Sequence, residues 1–532
     1  MRITKKWPLA AVVSTALLAS ACAGATPTSS SGGSASFVIG AGDVDSLDTI
    51  HFKSDTAYTV DGNIYASVLQ QTFQPQDGYM RGTSNYVPAL ADSFTVSPDG
   101  KTATIHLRSG LKFADGSPLT SDDVAYTVQR SLSKAGYTSA FLPYLGIANP
   151  QTDITAPDPS TVRIVLTRSS PLLQKFLAFQ TFGVLNKKTA EANKGASGWA
   201  TDYFAKQSTP SGPYQISSWD PAQKITLTKN PNYYDAATTK ASSVTIQNMP
   251  NVDQRYLALK NGSIDVALNL PPKLVAEAAK DPNLTVYKIP TSKSIYMGMN
   301  NTDPALSNKL VRQAISYAVP YDALRQQVMQ GYAGAADGPV PSTMATSLDP
   351  SGTKSAYPTD IGKAKALLAQ AGVNGLHLTL SVQASDAKAT QGATFIQSSL
   401  AQAGITVDIA QLTDSDYTTK LSANQLQMFM GAWYSWGEDP IYQMNFLLRS
   451  GVPTNYAKYA NPQVDQDITQ GVLSTDAAQR QALSQDAQRQ IIDDAPWAFL
   501  YTEDQLVVTA KNVHGITRPD DGFLRFADLY RQ

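Results

Sequence analysis

The sequence predicts an α/β fold built as two lobes, and three observations point that way. First, the 532 residues are 42% apolar and 16% charged. At about 100–200 residues per domain they allow several compact units with sizeable cores. Second, residues 376–433 alternate strand, helix, strand, helix, strand, the rhythm of parallel strands joined by right-handed crossovers. Third, strand-like segments at 214–228, 286–300 and 498–510 lie far apart in the chain. Paired together, they would make one lobe that the chain visits several times.

The opening residues read as an address. Arg2, Lys5 and Lys6 precede an apolar run from Pro8 to Ala21. That run has the length of a signal-peptide core and is too short for a membrane span. Cys22, the only cysteine, follows directly, and Leu17-Leu18-Ala19-Ser20-Ala21-Cys22 resembles a bacterial lipoprotein signal. The resemblance implies that residues 1–21 are removed and that Cys22 carries a lipid. An ordinary secretory signal is the alternative, because Ala19 stands where such signals most often have Leu. Residues 22–36 are small and polar, the composition of a flexible tether. Without Arg2, Lys5 and Lys6 the chain has 39 basic and 43 acidic residues, a net charge of −4. The protein is expected to be soluble, exported and held at the outer face of the bacterial cytoplasmic membrane, with no later stretch apolar enough to span a bilayer.

The elements follow in order. Phe37-Val38-Ile39-Gly40 reads as a strand; Gly40-x-Gly42 is a weak dinucleotide-loop signal, because Asp45 replaces the third glycine and no clear helix follows. Phe94–Val96 and Thr102–Leu107 read as strands around the turn Ser97-Pro98-Asp99-Gly100. After the turn Ala114-Asp115-Gly116, Thr120-x-x-Asp123 resembles a capping box for a helix over 121–133. Further on, 376–382 and 405–409 read as strands, 388–403 and 414–424 as helices, and Met428–Trp433 as the closing strand. Gly404 is the expected helix stop. In open sheets of this kind ligands sit beyond the carboxyl ends of the strands, and Trp433-Tyr434-Ser435-Trp436-Gly437-Glu438-Asp439-Pro440 lies at such an end.

The blocks Leu90-Ala91-Asp92-Ser93-Phe94, Ser97–Lys101 and His106–Thr120 with Asp123-Val124 resemble bacterial extracellular solute-binding proteins of the oligopeptide/dipeptide family, family 5. Further blocks match in order. They include Gly212-Pro213-Tyr214, Lys229–Tyr234, Ala258–Asp265, Val311–Ala318, Lys363–Leu368, Tyr459–Asp465 and Asp494-Ala495-Pro496. The resemblance covers roughly residues 37 to 530. It implies a two-lobed periplasmic-binding-protein fold of type II, in its large three-domain form, with a central cleft and a hinge. Domain I would take 37–62, 200–297 and 496–532, domain II 63–199 and domain III 298–495, with the hinge at the crossings near 297 and 496. The implied function is the substrate-binding component of an ABC importer, a monomer that closes around a peptide or peptide-like solute and hands it to permease subunits. Most matching blocks read as fold: Val311, Ala314, Ile315 and Ala318 recur at helical spacing.

By the same resemblance the ligand site centres on Trp433, Tyr434, Ser435, Trp436 and Asp439. Peptide-binding relatives carry an ammonium-pairing aspartate three residues after the tryptophan; here that position is Trp436. Either Glu438 or Asp439 substitutes, or the ligand has no free ammonium there and meets an apolar or cation–π face. Lys53, Ser54 and Asp55 fall on the loop that would line the ligand's edge, and Phe141 near an aromatic presented by domain II.

Other functions have less support in the sequence. A net charge of −1 over the whole chain argues against a broad nucleic-acid footprint. One cysteine excludes an internal disulfide and a four-cysteine zinc site, and His51, His106, His377 and His514 are too scattered for metal-ligand spacing. No cofactor is expected. Catalysis is not expected either, for there is no G-x-S-x-G or H-E-x-x-H, and Asp122-Asp123 and Asp493-Asp494 read as helix ends. The same fold binding an oligosaccharide or a metal chelate, or serving as a ligand sensor, remains the alternative.

Overall fold

The computed structural model describes residues 35–134, 136–435 and 438–532. Cys22 and the proposed signal, with nearly all of the tether, lie outside them. The first strand starts one residue earlier than expected, at Ser36, and runs parallel to Ser243–Asn248. Ser36 therefore belongs to the sheet and not to the tether.

One large mixed sheet organises the molecule. Its strands run in the order Ile405–Leu412, Leu376–Gln383, Met428–Trp433, Leu284–Met299, Trp497–Ala510, Val266–Leu268, Ser36–Ala41, Ser243–Asn248, Lys224–Lys229, Tyr214–Asp220. The two long strands at its centre, Leu284–Met299 and Trp497–Ala510, pair antiparallel. On one side lie the three strands of the 376–433 segment, and both contacts of Leu376–Gln383 there are parallel, as its rhythm predicts. On the other side lie strands from the start and middle of the chain. The expected pairing of 286–300 with 498–510 is direct, whereas 214–228 joins the same sheet five strands away. The ladder between the long strands shifts register at Ile289/Lys293 and again at Ile295/Tyr296, and such irregularities bend and twist a sheet.

The remaining strands form smaller sheets. Ala91–Val96, Thr102–Leu107, Thr161–Val165 and Ile154–Asp158 make an antiparallel four-stranded sheet. Helix Ser121–Ser131 packs beside it. Its capping box is present: the Asp123 carboxylate accepts from the Thr120 backbone N–H (2.8 Å) and hydroxyl (3.1 Å). Leu69–Gln76, Tyr79–Pro88 and Thr517–Arg518 make a three-stranded sheet, which the sequence reading did not foresee. Helix Ala387–Gln402 is capped by Asp386 and stops before Gly404, whose φ of +86° an L side chain rarely adopts.

Separate cores sit in each part. Phe37, Ile39, Tyr214, Val244 and Phe526 anchor one; Met297, Ile315, Leu380, Ile396 and Leu500 another; Ile105, Val124, Ile164 and Phe176 a third. Each fully buried side chain of this size stabilises by about 1.5–3 kcal/mol. Val311, Ala314, Ile315 and Ala318 are core, as their spacing predicts. The third core also takes in Tyr442, from a helix on the far side of the chain, at 2% exposure.

Candidate functional site

Strand Met428–Trp433 ends beside the long strand Leu284–Met299, with Trp433 opposite Ser294. Trp433 lies half-buried with its ring 4.9 Å from that of Phe446, and its indole N–H is buried with no acceptor among the described residues. Ser435 is fully buried and its hydroxyl likewise has no partner there. A buried polar group left unpaired costs about 1–3 kcal/mol, and two such groups stand at this strand end. Trp436 and Gly437 lie outside the described residues.

Tyr434 ties this strand end to the loop at 518–522. Its hydroxyl donates to the Asp520 carbonyl (2.6 Å) and accepts from the Arg518 guanidinium (2.7 Å). Burial pushes its phenol well above the ordinary tyrosine value, with Arg518 opposing. Arg518 also bonds the Gln505 side chain, and the Asp520 N–H donates to Gln71 (2.9 Å). The loop is thus pinned from two sides. Glu438 faces the same charges: burial and then Asp520 push its carboxyl up to about 7, while Lys175, Arg518 and Arg81 pull it down. Lys175 lies 3.8 Å from Asp520.

Asp439 does a different job from the one the resemblance suggests. Its carboxylate caps helix Pro440–Leu447 by accepting from the Tyr442 N–H (2.8 Å) and pairs with Arg480. Both oxygens are engaged within the fold. Phe141 also departs from expectation. It is 3% exposed, packed 4.3 Å from Phe176 and 5.6 Å from Tyr442, so its ring belongs to the core and is not presented to solvent.

Lys53, Ser54 and Asp55 sit where the loop enters helix Asp55–Ile64. The Asp45 carboxylate accepts from the Lys53 and Ser54 N–H groups (2.9 and 3.0 Å). Ser54 caps the helix through the Ala57 N–H (3.0 Å) and donates to the Asp43 carbonyl (2.8 Å). The Lys53 and Asp55 side chains stay exposed. Asp55 is felt at Lys293, which pairs with Glu503 at 3.1 Å; Lys388 pairs with the same carboxylate. Burial alone would lower the Lys293 ammonium, but Glu503 reverses that and holds it above the usual lysine value. In turn burial would raise Glu503, and the two lysines hold it below the usual carboxylate value.

Sequence reasoning missed Arg518, Asp520, Lys175 and Arg81. Only Pro519-Asp520-Asp521-Gly522 carried a local signal, that of a turn. The strand end at 433–438 therefore meets residues from several distant stretches, Gln71 and Arg81, Lys175, Gln505 and the 518–520 loop, with charges of both signs and unpaired polar groups. It offers hydrogen bonds and counter-charges, and it is framed by a sheet that runs through both lobes.

The fold is that of the type II periplasmic binding proteins. The match to the model for bacterial extracellular solute-binding proteins, family 5 (middle), covers residues 85–455, and the chain belongs to this family. The glutathione-binding protein GsiB of Pectobacterium atrosepticum is 28% identical over 546 residues, spanning 99% of this chain and 98% of its own. Among solved structures, the periplasmic binding protein DppA of Helicobacter pylori, in complex with the peptide STSA, superposes with a TM-score of 0.77 at 26% identity, covering 93% of this chain and 98% of its own. The substrate-binding protein CtaP of Listeria monocytogenes reaches 0.80 at 23% identity, covering 94% and 99%, and shares the fold.

Proposed function

We propose that this chain is the substrate-binding component of an ABC importer, taking a peptide or peptide-like solute between its lobes and delivering it to permease subunits. The observation that carries this reading is the strand end Trp433–Ser435, whose buried indole N–H and hydroxyl lack partners among the described residues. Extended peptide backbones supply such partners at a strand end. Relatives named for glutathione and a peptide complex support the ligand class. Trp433 and Ser435 line the ligand in this reading, Tyr434 positions the loop behind it, and Lys53 to Asp55 form its edge. The domain limits implied by the resemblance serve as the moving bodies, with the register shifts at Ile289 and Tyr296 as the bend between them.

The test is a thermal-shift screen of the purified protein against glutathione, tripeptides, oligosaccharides and metal chelates, with mass spectrometry of whatever co-purifies. A ligand at 100 times its Kd adds about 2.7 kcal/mol. Stabilisation by glutathione or tripeptides is expected. Stabilisation by a sugar or chelate alone would overturn the ligand class and leave the fold untouched. Membrane attachment through Cys22 belongs to the same proposal: Cys22→Ser should move the exported protein from the membrane fraction to the soluble one, and unchanged fractionation would point to an ordinary secretory signal.

A further inference from the structure

Glu438 stands where three parts of the chain meet. It lies between strand Met428–Trp433 and helix Pro440–Leu447. Both ends of that short segment are fixed. Tyr434 holds Arg518 and the Asp520 carbonyl, and Asp439 caps the helix. Between them Glu438 keeps a left-handed backbone, with φ +37°, which a non-glycine residue holds only where its surroundings impose it. Its N–H donates to the Ser435 carbonyl (3.1 Å). Its carboxyl faces Asp520 and Arg518 from the loop near the C-terminus, Lys175 from helix Leu173–Leu177, and Arg81 from strand Tyr79–Pro88. The phenols of Tyr434 and Tyr86 feel both Glu438 and Asp521. By the domain limits proposed above, Glu438 belongs to domain III, Arg518 and Asp520 to domain I, and Lys175 and Arg81 to domain II.

Each cation there is engaged by another group. Arg518 bonds the Tyr434 hydroxyl and the Gln505 side chain. Lys175 lies 3.8 Å from Asp520, and the Arg81 guanidinium donates to the Thr343 carbonyl (3.5 Å). An ionised Glu438 therefore adds a second carboxylate beside Asp520 with no cation of its own. Burial and Asp520 accordingly push its carboxyl up to about 7, against the pull of Lys175, Arg518 and Arg81. A protonated Glu438 escapes that penalty and has an O–H to donate.

We infer that Glu438 is a proton-operated latch on lobe closure: closing the cleft seats it among Asp520, Arg518, Lys175 and Arg81, and the seated residue takes up a proton. The inference rests on the importer reading above and adds regulation to the same site. Its sign follows from the two surroundings. In an open, watered cleft Glu438 keeps the ordinary value of 4.5; seated, its carboxyl is held up to about 7. Closure has this support in full below the ordinary value and loses it as pH rises through about 7. A solute is then held tightly in mild acid and let go as the pH rises past neutral. Asp521 is also raised, to about 6, by burial and Asp520, but its partners are the Gln180 N–H (3.2 Å), the Tyr58 hydroxyl and Arg518. All of these lie in domains I and II, so Asp521 stays seated when domain III moves.

The test uses the full mature protein and two probes, glutathione and trialanine, in calorimetry with two buffers of different ionisation enthalpy. Wild type should bind about tenfold or more tightly at pH 5.5 than at pH 7.5, and should take up about one proton near pH 6. Glu438→Gln keeps the shape and removes the titration, so it should take up none and hold one affinity across the range. Asp521→Asn should keep the wild-type dependence. Solution scattering of the ligand-free protein reads the latch without a solute. Its radius of gyration should fall from pH 7.5 to pH 5.5 in wild type and stay constant in Glu438→Gln. Binding without proton uptake overturns the latch and spares the peptide reading. Uptake that survives in Glu438→Gln, or disappears in Asp521→Asn, assigns the proton elsewhere and overturns it too. Binding of neither probe overturns the peptide reading, and scattering then decides: a radius that does not change with pH overturns the latch.

Discussion

Arg130 and Asp48 are both fully buried and joined by two parallel hydrogen bonds of 2.9 and 2.7 Å, with the Arg130 Nε donating to the Trp199 carbonyl at 2.8 Å. Removing one partner leaves the other charge buried and alone. Asp48→Asn should therefore cost on the order of 3–5 kcal/mol in denaturant unfolding; a loss under about 1 kcal/mol would refute the pairing. A second prediction at this scale concerns pH. The folded-state pKa of Asp521, about 6, lies above its usual 3.8. The folded chain then holds more protons between pH 4 and 6, and stability from this group falls as pH rises through that window. The full effect is about 3 kcal/mol at 1.36 kcal/mol per unit. Asp521→Asn should flatten that part of the pH–stability curve. Its persistence would assign the slope to other carboxyls, such as Glu438 and Asp337, which burial also raises.

Among the elements, helix Pro440–Leu447 depends on Asp439 as cap and on its bond to Arg480. Asp439→Ala should lower stability by about 0.5–2 kcal/mol and leave ligand affinity unchanged once folded. Lost affinity at unchanged stability would instead make Asp439 a ligand contact. The strand that leads to the site depends on Gly431. A Cβ there would fall 2.4 Å from the Tyr296 ring, which is already stacked 3.7 Å from Trp497. Overpacking of this kind costs about 1–3 kcal/mol, so Gly431→Ala should lower the melting temperature, and an unchanged one would show that Tyr296 can yield. Local signals made several elements legible. The Thr120/Asp123 box, Gly404 and the strand Met428–Trp433 each declare themselves within a few residues. The hairpin of Leu69–Gln76 and Tyr79–Pro88 did not, because Gln70, Gln71, Gln74 and Pro75 break the apolar alternation that marks a half-buried strand.

At the scale of the whole molecule, contacts join segments far apart in the chain. Tyr442 lies edge-on to Phe141 and Tyr144, and Asn445 bonds the Tyr144 hydroxyl. If the lobes move apart on ligand release, these aromatic contacts must separate, and they bias the equilibrium toward closure. Tyr442→Ala should then raise the radius of gyration of the ligand-saturated protein in solution scattering and weaken apparent affinity by the lost closed fraction. Unchanged scattering and affinity would show that Tyr442 belongs to one rigid body.

By itself the sequence determined what local chemistry can write: turns at Asp99-Gly100 and Asp115-Gly116, helix caps, the strand–helix rhythm of 376–433, and a series of blocks specific enough to mark the family. Tertiary structure alone decided which distant residues meet. Tyr434 finds Asp520 across 86 residues, and Gln180 finds Asp521 across 341. No pattern of nearby residues encodes such pairs, because they exist only once the long strands have brought the ends of the chain together. The same closure decided that Asp439 is a cap and Phe141 a core ring, since burial and partners are properties of the packed molecule and not of spacing along the chain.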